Sequence, residues 1–265
     1  MPYFKFQGKN IYFEDQGSGE ALILLPGNTS SSAAHKSEIE HFSQKFRVIC
    51  PDYLGYGRSD RMKELPRDFW WANAEMIVSL LKHLDTEVYY CIGTSGGGII
   101  ALNIAILEPN KVLGVVADSI PGIYLSVEDV GRIIEDREKK ILEESIFWKL
   151  AHGEDWEEII RQDNEILLIN ARKNERLNKG NLSEIVSPIL FTASIKDSLI
   201  EAIEEKVIHT AKQTKDWKIV FYSNGEHPVM WSKATEFRQE VEKFISLVKN
   251  HKSIAPTLAA ILEEG

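Results

Sequence analysis

The sequence predicts an α/β protein built on a single, mostly parallel sheet of about eight strands flanked by helices. Three observations carry that expectation. Short runs that are apolar on both faces alternate with segments of helical period. Turns rich in Gly, Pro and Asp punctuate these runs. One long helical stretch, 122–187, interrupts the rhythm without a strand-like run and reads as an insertion between two strands of the same sheet.

Bulk properties agree. The chain has 265 residues, 43% hydrophobic and 27% charged, the balance of a soluble globular protein of one or two domains. It needs no disulfide staples at this length. Forty acidic against 31 basic residues leave a net charge of −9, which repels a phosphate backbone and argues against a nucleic-acid partner. Cys50 and Cys91 lie at the apolar ends of predicted strands and read as reduced core thiols. Met1-Pro2-Tyr3-Phe4-Lys5 shows no basic segment leading into an apolar run. No stretch reaches the roughly 18 consecutive apolar residues of a membrane span. The expected location is the cytoplasm, and the sequons at Asn28 and Asn181 read as chance matches.

Taken in order, strands are expected near Tyr3–Phe6 and Asn10–Asp15, with Gly8 at their turn. Ala21–Leu25 (ALILL) and Phe46–Cys50 (FRVIC) read as buried strands, separated by a helix-compatible stretch that runs to about Gln44. The loop Asp52–Asp60 is punctuated by glycine. Trp70, Ala74, Ile77, Leu81 and Leu84 then form one apolar helical stripe. A strand at Glu87–Ile92, a helix at Gly97–Leu107 and a strand at Val112–Ala117 follow. After the helical stretch, which includes Val130, Ile133, Ile134, Ile141 and Leu142, the alternation resumes. It gives strands at Pro188–Thr192 and Trp217–Tyr222 and helices at Ile200–Ala211 and Lys233–Val248, with a short, mildly apolar tail from Lys252.

The chemistry concentrates in Gly93-Thr94-Ser95-Gly96-Gly97, between a predicted strand and a predicted helix. A G-x-S-x-G in that setting is a nucleophile elbow. The serine sits in a strained turn with its hydroxyl exposed, and small residues two before and two after it let strand and helix cross closely. The following helix aims its N-terminus at the site, where free N–H groups favour developing negative charge. Neither the G-x-G-x-x-G dinucleotide fingerprint nor the GK[ST] ending of a phosphate loop is present.

With this elbow, three further segments resemble the α/β-hydrolase family, in its esterase-like branch, over nearly the whole chain. Leu24-Leu25-Pro26-Gly27-Asn28 resembles the family's strand and oxyanion loop, with Pro26 where the family usually has histidine. Asp52-Tyr53-Leu54-Gly55-Tyr56-Gly57-Arg58-Ser59 resembles its D-x-x-G-x-G-x-S loop. Ser194-Ile195-Lys196-Asp197 and Gly225-Glu226-His227-Pro228 resemble its acid and histidine loops. The chain order Ser95, Asp197, His227 matches the Ser…Asp…His order of the fold.

The resemblance implies Ser95 as nucleophile, His227 as its base and Asp197 as the acid that orients the imidazole. Asp118 also ends a predicted strand and stands as the alternative acid. Asp52 and Asp60 come too early in the order and are expected to brace their own loop. The other histidines, His35, His41, His83, His152, His209 and His251, are expected on the surface or in packing. The oxyanion hole is expected from the backbone N–H groups of Asn28 and Gly96, with the Asn28 amide facing solvent.

A serine at the elbow departs from the dehalogenases and epoxide hydrolases of this family, which use aspartate there, and from dienelactone hydrolases, which use cysteine. The expected function is hydrolysis of a small or medium apolar acyl ester. The alternatives left open are a thioester or C–C bond hydrolase, an acyltransferase, or a receptor of the same fold with little turnover. No metal or cofactor is implied. The expected partner is a small ester-like molecule. The expected domains are a core, 1–121 and 188–265, and a helical cap, 122–187. The cap holds 15 acidic and 10 basic residues, so more than half of the net negative charge falls on it, which disfavours anionic substrates.

Overall fold

The computed structural model describes residues 2–250, apart from the side chains of residues 141–144. The predicted tail from Lys252, His251 and the side chains of Ile141 and Leu142 lie outside the described residues.

Eight strands form one sheet: β1 (Tyr3–Phe6), β2 (Lys9–Gln16), β3 (Ala21–Leu25), β4 (Arg47–Pro51), β5 (Tyr89–Thr94), β6 (Val112–Asp118), β7 (Ile189–Ser194) and β8 (Trp217–Tyr222). Their order across the sheet is β1-β2-β4-β3-β5-β6-β7-β8. β2 runs antiparallel to both β1 and β4, and the remaining pairs are parallel. The pleat explains why the central strands are apolar on both faces. Ala21, Ile23 and Leu25 of β3 pack into one layer, and Leu22 and Leu24 into the other.

The first layer holds α2 (Phe69–His83), α3 (Gly96–Leu107) and α7 (Ile203–Ala211). The second holds α1 (Lys36–Phe42), α8 (Val229–Ser232) and α9 (Ala234–Lys249). Cys50 and Cys91 are free and fully buried, one in each layer, and burial pushes both thiols up from their ordinary pKa.

Between β6 and β7 the chain carries three helices, α4 (Val127–Lys139), α5 (Ile141–His152) and α6 (Trp156–Lys173). Val130, Ile133, Ile159 and Leu167 continue the first core layer beneath them. Trp148, stacked on Trp156 at 5.2 Å, forms a small separate cluster with Ile160. No helix among the described residues is long and apolar enough to cross a membrane.

The differences from the sequence reading are local. The stretch after Asn28 is not one helix: a 3-10 turn (Ser32–His35) precedes a seven-residue α1. The helix expected from Ile200 begins at Ile203, because Asp197 Oδ1 accepts the Leu199 and Ile200 N–H groups and holds that stretch as a turn. Asp52 does brace its loop, accepting the Arg58 N–H at 2.8 Å and bonding both the N–H and hydroxyl of Ser32.

Candidate active site

Ser95 sits between β5 and α3 at φ 53°, ψ −124°, a conformation that non-glycine residues rarely hold. Its own N–H donates to the Asp118 carbonyl at 2.7 Å, and its carbonyl accepts the Gly98 N–H at 3.0 Å. The crossing of β5 and α3 requires glycine on both sides. A Cβ on Gly93 would lie 2.1 Å from the Gly97 carbonyl oxygen, and one on Gly97 would lie 2.2 Å from that of Leu25. The sheet and α3 together fix the Ser95 backbone at the N-terminal end of a 12-residue helix.

Asp197 lies three residues past β7, and His227 lies in the turn between β8 and α8. Asp197 Oδ2 is 2.9 Å from His227 Nδ1. A carboxylate can only accept, so this contact places the imidazole proton on Nδ1 and leaves the Nε2 lone pair free. The other carboxylate oxygen accepts two backbone N–H groups, from Leu199 at 2.9 Å and Ile200 at 2.8 Å. The Asp197 side chain is fully buried and the His227 side chain is 9% exposed, so the pair is shielded from competing water. Ser95 and His227 line one cavity, but no hydrogen bond joins them among the described residues.

Asp118, the alternative acid, takes no part in that contact. It is completely buried. Its Oδ2 accepts from Thr94 Oγ1 at 2.9 Å and from the Met230 N–H at 3.0 Å. Its Oδ1 accepts from Thr192 Oγ1 at 2.7 Å and from Ser119 Oγ at 3.1 Å. Burial pushes its carboxyl above the usual range, against those hydrogen bonds and the nearby His227. Its bonds tie the ends of β5, β6 and β7 to the turn after His227.

Asn28 and Gly96 both line the cavity beside Ser95. Among the described residues neither backbone N–H is committed to another hydrogen bond. Contrary to the sequence expectation, the Asn28 amide does not face solvent. Its Oδ1 accepts from Trp70 Nε1 at 3.2 Å, and its Nδ2 donates to Asp163 Oδ1 at 2.6 Å. Asp163 also accepts from Tyr56 OH at 2.5 Å and faces Arg137 at 2.9 Å. Tyr53 OH donates to the carbonyl of Pro26 at 2.7 Å, so the loop is anchored from the core without the family's usual histidine.

Asp163, Tyr56, Trp70 and His152 escape the sequence reading as parts of this site. Asp163 carried a readable signal: it stands at helical spacing between Ile159, Ile160, Ile166 and Leu167, a charge inside the buried stripe of α6. His152 is buried with both ring nitrogens engaged: Nδ1 accepts the Gly57 N–H at 3.0 Å and Nε2 faces the Thr29 carbonyl at 3.0 Å. Burial lowers its pKa to about 4, so it is neutral at pH 7. Among the described residues, His35 is buried with neither nitrogen partnered, packed 5.2 Å from the Trp231 ring.

The cavity measures about 190 Å³. Its wall from α4, α5 and the joint between them is Ile133, Phe147 and the charged trio Asp136, Arg137 and Lys140. The acidity of the 122–187 segment as a whole therefore does not describe its cavity face, where Arg137 is paired with the buried Asp163 and Lys140 with Asp136.

The chain matches the family model described as alpha/beta hydrolase fold over residues 20–184. It is 31% identical over 117 residues to haloalkane dehalogenase 2 of Mycobacterium tuberculosis H37Rv, covering 43% of this chain and about two fifths (40%) of the dehalogenase. It is 28% identical over 257 residues to the human serine hydrolase BPHL, covering 90% of this chain and 84% of that protein. A thermophilic esterase structure from Thermogutta terrifontis superposes with a TM-score of 0.69 at 21% identity, covering 93% of this chain and 97% of the esterase, and so shares the fold. The chain belongs to the α/β-hydrolase fold family.

Proposed function

We propose that this protein is a serine hydrolase that cleaves a small or medium acyl ester through Ser95, His227 and Asp197. The observation that carries the reading is the Asp197–His227 contact, whose histidine lines the same cavity as a serine held at positive φ. In this mechanism His227 Nε2 takes the Ser95 proton as Oγ attacks the ester carbonyl. The Asn28 and Gly96 N–H groups stabilise the tetrahedral oxyanion. His227 then gives its proton to the leaving alcohol, an acyl-serine forms, and water activated by the same imidazole releases the acid. Asp197 keeps the proton on Nδ1 and stabilises the imidazolium.

The haloalkane dehalogenase likeness does not extend to the reaction, because the elbow presents a hydroxyl rather than a carboxylate. A cavity of about 190 Å³ suits a short acyl group better than the drug-sized ligands of cavities of about 300–1,000 Å³. Residues 122–187 act as the cap that closes this cavity.

The test is turnover of p-nitrophenyl acetate and butyrate with labelling by a fluorophosphonate. Sustained turnover and labelling, both lost in Ser95→Ala, support the reading. Absence of turnover together with an unlabelled Ser95 overturns it in favour of a non-catalytic member of the fold.

A further inference from the structure

Three contacts tie the loop after β3 to the helices between β6 and β7. Asn28 Nδ2 donates to Asp163 Oδ1 on α6 at 2.6 Å. The Thr29 carbonyl faces His152 Nε2 at the end of α5 at 3.0 Å. Ser31 Oγ donates to the Ala151 carbonyl at 2.8 Å. Thr29 lies at φ 56°, a strained setting for a β-branched residue that persists only when its surroundings hold it.

The partner on α6 is a costly one. Asp163 is fully buried in a stripe that packing alone would fill with an apolar residue. A buried carboxylate is tolerated when it is paired and hydrogen-bonded, and here Tyr56 OH, Asn28 Nδ2 and Arg137 supply that pairing. From the core side the same loop is held at Pro26 by Tyr53 and at Asn28 Oδ1 by Trp70. The Asn28 backbone therefore sits between a fixed core anchor and one carried by the helical segment.

We propose that Asp163 is a positioning residue for the oxyanion loop, so that the Asn28 N–H points at the reacting oxygen only while α5 and α6 are docked. This rests on the serine-hydrolase reading for its kinetic consequence. It couples closure of the cap to completion of the hole: a site with its helices lifted retains the Asp197–His227 pair but loses one oxyanion donor. Asp163 touches no reacting atom and acts through Asn28.

The test is a double-mutant cycle on p-nitrophenyl butyrate, with kcat normalised to the folded fraction. Asp163→Leu is expected to lower kcat by about 10- to 100-fold, the scale of a misplaced oxyanion donor, with KM changed less than about threefold. Asp163→Asn, which keeps an acceptor for Asn28 and Tyr56, is expected to recover most of that loss. In an Asn28→Ala background, Asp163→Leu is expected to add less than about a twofold effect, because the link is already cut. Full additivity, or an unchanged kcat in Asp163→Leu, overturns the proposal.

A second measurement stands free of turnover. In Tyr56→Phe and Asp163→Leu, amide hydrogen exchange is expected to accelerate together at residues 27–31 and 151–163. Acceleration confined to 151–163 overturns the coupling. If the wild-type protein neither turns over esters nor labels at Ser95, the hydrolase reading falls while the exchange result still decides the link.

Discussion

Asp118 closes β6 and Asp197 lies just past β7, and both carboxylates reach the segment around His227. Their partners differ in kind. Asp197 contacts the imidazole itself and is otherwise held by two backbone N–H groups of its own turn. Asp118 accepts from three hydroxyls and the Met230 N–H, drawn from three strand ends and the turn beyond His227. Neighbouring strand ends thus supply one carboxylate suited to setting a tautomer and another suited to holding the histidine loop in place. The difference lies in the two loops. Three residues of chain beyond β7 bring Asp197 within 2.9 Å of Nδ1, whereas Asp118, still within its strand, has its oxygens taken by Thr94, Ser119, Thr192 and Met230.

Kinetics gives the largest effects by which this division can be broken. Ser95→Ala is expected to lower kcat for p-nitrophenyl butyrate by about 10⁶, the scale seen when a triad nucleophile is removed. Asp197→Asn is expected to cost about 10⁴, because the amide favours the wrong imidazole tautomer. Asp118→Asn is expected to stay within about tenfold of wild type. If the two aspartate variants exchange these magnitudes, the acid is Asp118 and the division is reversed.

Stability should separate the pair the other way. Asp118→Ala strands the Met230 N–H and three buried hydroxyls, so urea unfolding should show a loss of about 2 kcal/mol. Asp118→Asn should lose about 1 kcal/mol or less. Its carbonyl can still accept the Met230 N–H, and the Thr192 and Ser119 hydroxyls can rotate to accept from the new amide. A loss below about 0.5 kcal/mol in Asp118→Ala would show that the carboxylate does not hold the loop.

The pattern of the sheet was legible in sequence because strands buried between two helix layers are apolar on both faces, as ALILL shows. The elbow was legible because its glycines answer to a local crossing. The Asn28–Asp163 link was not: its two residues are 135 apart, and only the fold brings them within 2.6 Å. The sequence marks Asp163 as a charge in an apolar stripe without saying what it meets. The choice between Asp197 and Asp118 was open for a related reason. Both follow strands, and only the three-dimensional path of each loop decides which carboxylate reaches Nδ1.

The smallest effect is the pH dependence of the Asp118 contribution. Burial raises its folded-state pKa above the unfolded value, so the folded protein binds a proton that the unfolded chain has already released. Stability contributed through this group is therefore fully present below the unfolded carboxyl value and is lost as pH rises through the raised folded one. Asparagine does not titrate. The stability difference between wild type and Asp118→Asn should then move in favour of wild type as pH falls toward about 4, while other buried groups, including His35, His152, Glu38 and Asp52, cancel in the comparison. Urea titrations of both proteins at matched pH values measure it directly. A difference that is flat with pH, or that moves against wild type on acidification, would mean that the hydrogen bonds from Thr94, Thr192 and Met230 outweigh burial in setting its folded-state pKa.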